Sequence, residues 1–135
     1  MTDRLSRAAR SRNMSRIRSV DTVPERLIRK MLFAMGYRFR LHRRDLPGTP
    51  DIVLVNRRKV IFVHGCFWHG HSRCARAKRP TSNVEFWTRK IEKNTARDRA
   101  ASASLRRAGW RVCVIWQCEL RDLGAIKAKL AKFLK

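Results

Sequence analysis

Apolar and polar residues change their rhythm several times along the chain, and each change marks an element. From Thr22 the rhythm is helical: Leu27, Ile28, Met31, Leu32 and Met35 fall on one stripe. Thr22 suits an N-cap, Pro24 suits the first turn, Glu25 stands three residues after the cap, and Gly36 ends the pattern. Beyond Gly36 the period falls to two. "YRFRLH" alternates as a half-buried strand does, "LPGTPD" is a turn, and "DIVLV" and "VIFVH" are β-branched runs whose connection "NRRK" predicts a hairpin. Helical periodicity returns from Glu85 to Ala108 and stops at Gly109. "WRVCVIWQC" predicts a buried strand, and an amphipathic helix ending "AIKAKLAKFLK" closes the chain. The order helix, three strands, helix, strand, helix predicts an α/β domain, a mixed β-sheet flanked by helices.

Length and charge sharpen this picture. At 135 residues and 44% hydrophobic the chain suits one domain with a real core. We expect an arginine-rich arm over residues 1–19 and a single domain over residues 20–135. Thirty-three Lys+Arg against ten Asp+Glu give a net charge of +23. Such self-repulsion points to a polyanionic partner, nucleic acid first and an anionic membrane surface second. No apolar run approaches the roughly 20 residues that span a bilayer, and "MTDRLSRAARSRNMSRIRS" lacks the apolar middle of a secretory signal. The expectation is a cytoplasmic protein with reduced cysteines, available to a metal rather than to disulfides.

The candidate chemistry gathers in "HGCFWHGHSRC", His64 to Cys74. Cys66, His71 and Cys74 lie close together there, and Cys118 stands at the end of a predicted strand. Thiolates and an imidazole, three on a loop and one from a distant element, suit a structural Zn²⁺. The competing reading, a small buried hydrophobe, fits Cys113 between Val112 and Val114 and fits the polar loop poorly. Asp51 follows Pro50 at the mouth of an apolar strand, where metal-dependent nucleases of the PD-(D/E)xK type hold Mg²⁺ on a hard oxygen. A turn-closing aspartate is the alternative. The next strand ends Val63-His64-Gly65 instead of supplying Glu-x-Lys, so a nuclease here would need a histidine as its base. His69 is the spare one: it lies between two of the proposed zinc ligands, and the tetrahedral set is complete without it.

"LPGTPDIVL", "VIFVHGCFWHGH", "EFWTRKIEKNTARDR" and "GWRVCVIWQCEL" resemble, in order and spacing, the very-short-patch-repair (Vsr) DNA mismatch endonucleases, from about Ser11 to Leu120. The resemblance implies a restriction-endonuclease-like fold with a structural zinc site. It implies a Mg²⁺-dependent nick 5′ of the thymine in T:G mismatches, the lesion left when 5-methylcytosine deaminates. By the same resemblance, Asp51 is the Mg²⁺-binding carboxylate and His69 the general base. His64 is an auxiliary catalytic group and Glu25 a further acid, unless Glu25 only completes a capping box with Thr22. Val63 stands where family members carry Thr and would offer Mg²⁺ its backbone carbonyl. Cys66, His71, Cys74 and Cys118 match the zinc ligands. Phe67, Trp68 and Trp87 match an aromatic wedge, and Met14 an apolar residue that the arm carries to the opposite groove.

Charge adds Arg89, Lys90, Lys93 and Arg97 as candidate phosphate contacts. The expected partner is double-stranded DNA holding a T:G pair, with mismatch-repair helper proteins as further candidates. A monomer suffices, because one nick needs one active site. Two rival readings stay open at this point: an endonuclease of the same fold without mismatch preference, and a zinc-stapled DNA-binding module without catalysis.

Overall fold

The computed structural model describes residues 22–135; the basic arm over residues 1–19, with Met14, lies outside the described residues. Helix α1 (Val23–Ala34) starts where the hydroxyl of Thr22 accepts the Glu25 N–H at 3.4 Å. Ile28 and Leu32 are fully buried, Met31 and Met35 pack beside them, and Leu27 turns outward. The alternating "YRFRLH" forms less strand than its pattern predicts: β1 is only Arg40–Leu41. His42 adopts a left-handed backbone (φ 48°), which ends an extended run, while Tyr37 and Phe39 still reach the core.

Strands β2 (Ile52–Leu54) and β3 (Lys59–His64) form the predicted hairpin. Its turn is a short 3-10 segment closed by Arg58 in the left-handed region. A long helix α2 (Val84–Arg107) then crosses to β4 (Arg111–Trp116), which lies parallel to β3 with His64 opposite Trp116. The sheet order is β1-β2-β3-β4, with β1–β2 and β2–β3 antiparallel. Helix α3 (Leu123–Leu134) follows, its start capped by Asp122, whose carboxylate accepts the Ala125 N–H at 3.0 Å.

Strand β4 ends earlier than the sequence predicts. Gln117–Arg121 is a 3-10 turn, so Cys118 sits just past the sheet. The carboxylate of Glu119 accepts the Trp116 N–H at 3.2 Å, which takes that donor from any continuing ladder.

One face of the sheet buries Ile52, Leu54, Ile61 and Ile115 against Ile28 and Leu32 of α1 and Ile126, Leu130 and Leu134 of α3. The other face packs Val53, Val60 and Phe62 against Leu105 of α2 and Trp110. Each fully buried Leu or Ile is worth about 1.5–3 kcal/mol relative to exposure. Cys113 belongs to the first cluster, as its mid-strand position predicts. Parallel pairing of β3 with β4 brings their carboxyl ends together, and Cys66 and Cys118 each follow two residues later. Among the described residues no helix is long and apolar enough to cross a membrane.

Candidate active site

Cys66, His71, Cys74 and Cys118 converge so that one ligand atom from each lies within 4.8 Å of all the others. The Cys118 N–H donates to Cys66 Sγ at 3.4 Å, and Cys118 Sγ stands 3.4 Å from His71 Nδ1. Ligand atoms about 2.0–2.3 Å from a tetrahedral ion sit roughly 3.3–3.8 Å apart. The four groups are therefore nearly in place to hold a metal. Burial pushes the Cys66 thiol up to about 12, against the pull of the Cys118 N–H. At Cys74 burial also pushes upward, but hydrogen bonds from His71 and the Arg76 backbone outweigh it and bring the thiol down to about 7.

The second constellation surrounds a cleft of about 800 Å³. Asp51 enters it beside β2, and its Oδ2 accepts the Val63 N–H at 2.7 Å. Burial, and then the neighbouring Glu25 carboxyl, raise the Asp51 pKa to about 8, with the Val63 N–H opposing. At Glu25 the backbone and the carboxyl find different partners. Its N–H is capped by Thr22, and its carboxyl turns inward, 2.8 Å from His42 Nε2 and 3.6 Å from Arg29. Glu25, His42 and Asp51 form a group whose ligand atoms lie within 4.8 Å of one another.

Across the cleft, His69 Nδ1 is 2.6 Å from Asp98 Oδ2. A carboxylate oxygen can only accept, so Nδ1 carries the proton and Nε2 is the basic nitrogen. The His69 ring stacks on His64 at 3.8 Å and 3°. Burial first, and the neighbouring His69 second, lower the His64 pKa to about 4, so its ring is neutral at physiological pH. His64 Nδ1 is buried with no hydrogen-bond partner among the described residues.

Helix α2 fixes the loop that carries these groups. Asn94 donates to the Trp68 carbonyl at 2.9 Å and Thr95 to the His69 carbonyl at 3.4 Å. Gly70 (φ +61°) permits this approach: a Cβ there would stand 2.7 Å from Ile91 Cγ2. Phe67, Trp68 and Trp87 form a triangle with ring centres 5.1–5.7 Å apart. Phe67 and Trp87 are half-buried, but Trp68 is only 8% exposed, deeper than an outward wedge of three requires. The Lys90 amine lies 5.6 Å from its ring centre.

Arg89, Lys90, Lys93 and Arg97 share one face of α2, along a groove of about 670 Å³, and Arg97 also lines the main cleft. Three residues here escape the sequence reading. Phe86, 56% exposed, packs edge-on to Trp87 in the same groove. His42 and Asp98 are the others; their only sequence signals are the end of an alternating run and a rare acid within "TARDR".

A sequence profile described as "DNA mismatch endonuclease Vsr" matches residues 2–76. The chain is 56% identical over 134 residues to the type II nicking enzyme V.XorIIP of Xanthomonas oryzae pv. oryzae, covering 99% of this chain and 98% of that one. It is 45% identical over 121 residues to the DNA mismatch endonuclease Vsr of Escherichia coli K12, covering 90% and 77%. The fold is similar to the catalytic domain of homing endonuclease I-Bth0305I, with a TM-score of 0.52, 24% identity, and 84% and 94% of the two chains covered. By its sequence along nearly its whole length, the chain belongs to the Vsr family of DNA mismatch endonucleases.

Proposed function

We propose that this endonuclease nicks DNA 5′ of the thymine in a T:G mismatch, using Asp51 to hold Mg²⁺ and His69 as the general base. The observation that carries the reading is the single cleft joining the Asp51–Glu25 carboxyls to the His69–Asp98 pair beneath Phe67. The donor set fits a hard cation. Two crowded, buried carboxyls hold the Asp51 pKa high, and a bound cation would relieve them. Asp51 and the Val63 carbonyl would hold Mg²⁺, which supplies charge neutralisation at the phosphodiester and a more acidic water.

The remaining roles belong to the chain itself. His69 Nε2 accepts the proton of the attacking water, while Asp98 fixes the tautomer and balances the imidazolium that forms. Neutral His64 stacks against the His69 ring and serves as the auxiliary group of the site. Glu25, held by His42, is the second acid of the cation side.

Zn²⁺ is the ion we assign to Cys66, His71, Cys74 and Cys118, where three thiols and an imidazole select a borderline-soft metal and close the coordination shell. Purified protein should contain about one zinc per chain. Stripping it, or replacing Cys118 by Ala, should lower the melting temperature by more than about 10 °C, since such sites contribute folding energy outright. Metal-free protein that melts unchanged would refute the site.

A T:G wobble is weaker than a Watson–Crick pair, so opening its stack costs less than the few kcal/mol of an ordinary step. Phe67 and Trp87 recover about 1–3 kcal/mol per stacked base, with Trp68 as their support. Arg89, Lys90, Lys93 and Arg97 grip phosphates, and the arm with Met14 reaches the far groove. One chain holds one complete set of groups, so a monomer carries out the nick; mismatch-repair helper proteins are candidate partners. With strand-labelled duplexes in Mg²⁺, the T:G substrate should be nicked at least about 100-fold faster than its matched counterpart, a difference of some 2.7 kcal/mol. Equal rates would remove the mismatch preference and leave the endonuclease.

A further inference from the structure

The sequence motif Trp-x-Cys ending β4 contributes Cys118 to the metal cluster, and its tryptophan has no part in the chemistry described so far. Trp116 nevertheless lies between the two constellations. One face of its indole is stacked on His71 (ring centres 4.1 Å apart, planes 9° apart). His64 meets the indole at 5.2 Å and 74°, an edge contact. His64 stacks in turn on His69, and His69 is held by Asp98. The result is a continuous column of rings, His71–Trp116–His64–His69, anchored by the metal cluster at one end and a carboxylate at the other.

Backbone geometry makes this column a consequence of the sheet. The parallel register sets Trp116 opposite His64. The Trp116 N–H is tied to Glu119, which Lys129 clamps at 3.0 Å. His71 is held to the same loop by its N–H to the Cys66 carbonyl at 3.0 Å. Trp116 and His71 therefore each have a fixed attachment. His64, by contrast, has no hydrogen bond at Nδ1 among the described residues, so ring packing against Trp116, Phe62 and His69 is what orients it.

We propose that Trp116 is a positioning residue: it transmits the rigidity of the Cys/His cluster to His64 and thereby sets the plane of His69. The inference rests on the roles given to His69 and the metal cluster under the proposed function. A flat aromatic surface is what the site needs here, since a flexible aliphatic group fills volume without fixing the angle of a neighbouring ring. Displacements of about 1 Å at a reacting group cost on the order of 100-fold in rate, and loss of an orienting partner about 10- to 100-fold.

The test uses the full-length, zinc-loaded protein as wild type, Trp116→Phe, Trp116→Leu and His69→Ala. Single-turnover nicking of a T:G duplex, duplex affinity, zinc per chain and the imidazole NMR signals of DNA-free protein are measured. We expect Trp116→Leu to nick about 10- to 100-fold more slowly, with affinity within about threefold of wild type and zinc retained. Trp116→Phe should recover most of the rate. The His64 and His69 signals should move in Trp116→Leu and stay near their wild-type positions in Trp116→Phe. Wild-type nicking by Trp116→Leu, equal losses in the Leu and Phe variants, or a loss confined to affinity or accompanied by zinc release would each overturn the proposal. His69→Ala separates the two levels. If it nicks normally, the base assignment itself fails; if it is inactive while Trp116→Leu nicks normally, only the role of Trp116 falls.

Discussion

Asp51→Asn is expected to lower nicking by at least about 1,000-fold while duplex affinity changes less than about threefold, because the substitution removes the carboxylate proposed to hold Mg²⁺ and leaves the basic face of α2 untouched. Nicking assays beside filter or anisotropy binding would read both quantities, and parallel losses of rate and affinity would contradict the role. The same substitution should have an opposite effect on stability. The Asp51 pKa is raised from 3.8 to about 8, chiefly by burial and then by Glu25. The folded protein thus retains a proton that the unfolded chain releases. In Mg²⁺-free buffer, the contribution of this group is most favourable below about pH 4, declines from there to about pH 8, and is flat above. Asp51→Asn removes that decline, so at pH 9 the variant should melt higher than its parent. A lower melting point there would show that the carboxyl is not the strained group.

The second large effect is at His69. Replacing it by Ala should slow nicking by about 100- to 10,000-fold, the usual contribution of a positioned general base. Asp98→Asn should cost nearly as much. An amide can donate to Nδ1 and so favour the tautomer with its proton on Nε2, the wrong nitrogen for accepting one from water. The two substitutions together should be little worse than His69→Ala alone, since they disable one unit. Additive losses in the double variant would separate Asp98 from the base.

Which parts of this molecule are legible in its sequence follows from how each is stabilised. Helix α1, the β2–β3 hairpin and the mixed sheet are visible because apolar periodicity and burial coincide at Ile28, Leu32, Ile52 and Ile61. The zinc-type ligands are visible because thiols and imidazoles are rare and clustered, and the structure brings all four together. The alternation of "YRFRLH" overstates β1, since it records which side chains face the core and not where His42 turns the backbone. Cys118 lies past β4 because the ladder with β3 ends at His64 and Glu119 takes the Trp116 N–H, and no periodicity encodes either. Asp98 sits on a helix crowded with arginines and lysines, where an acid is normally a surface counter-charge. Only the tertiary approach of the His69 loop gives it a partner. Trp68 looks like any other aromatic of the loop in sequence, and its depth follows from α2 passing over it with Lys90. Family resemblance adds what physics alone leaves open, above all the proposal of His69 rather than His64 as base.

The pairing of Cys66 with Cys118 has a topological consequence. Fifty-two positions of chain separate them, and the crossover helix α2 lies entirely within that span. A metal bridging the two closes the span into a ring, which by chain-entropy reasoning removes about 4 kcal/mol worth of freedom from the unfolded ensemble. A polypeptide severed in the exposed stretch between Lys78 and Asn83 would keep its halves together through the β3–β4 ladder and the two cores, and a metal in the cluster would add a further link that a chelator removes.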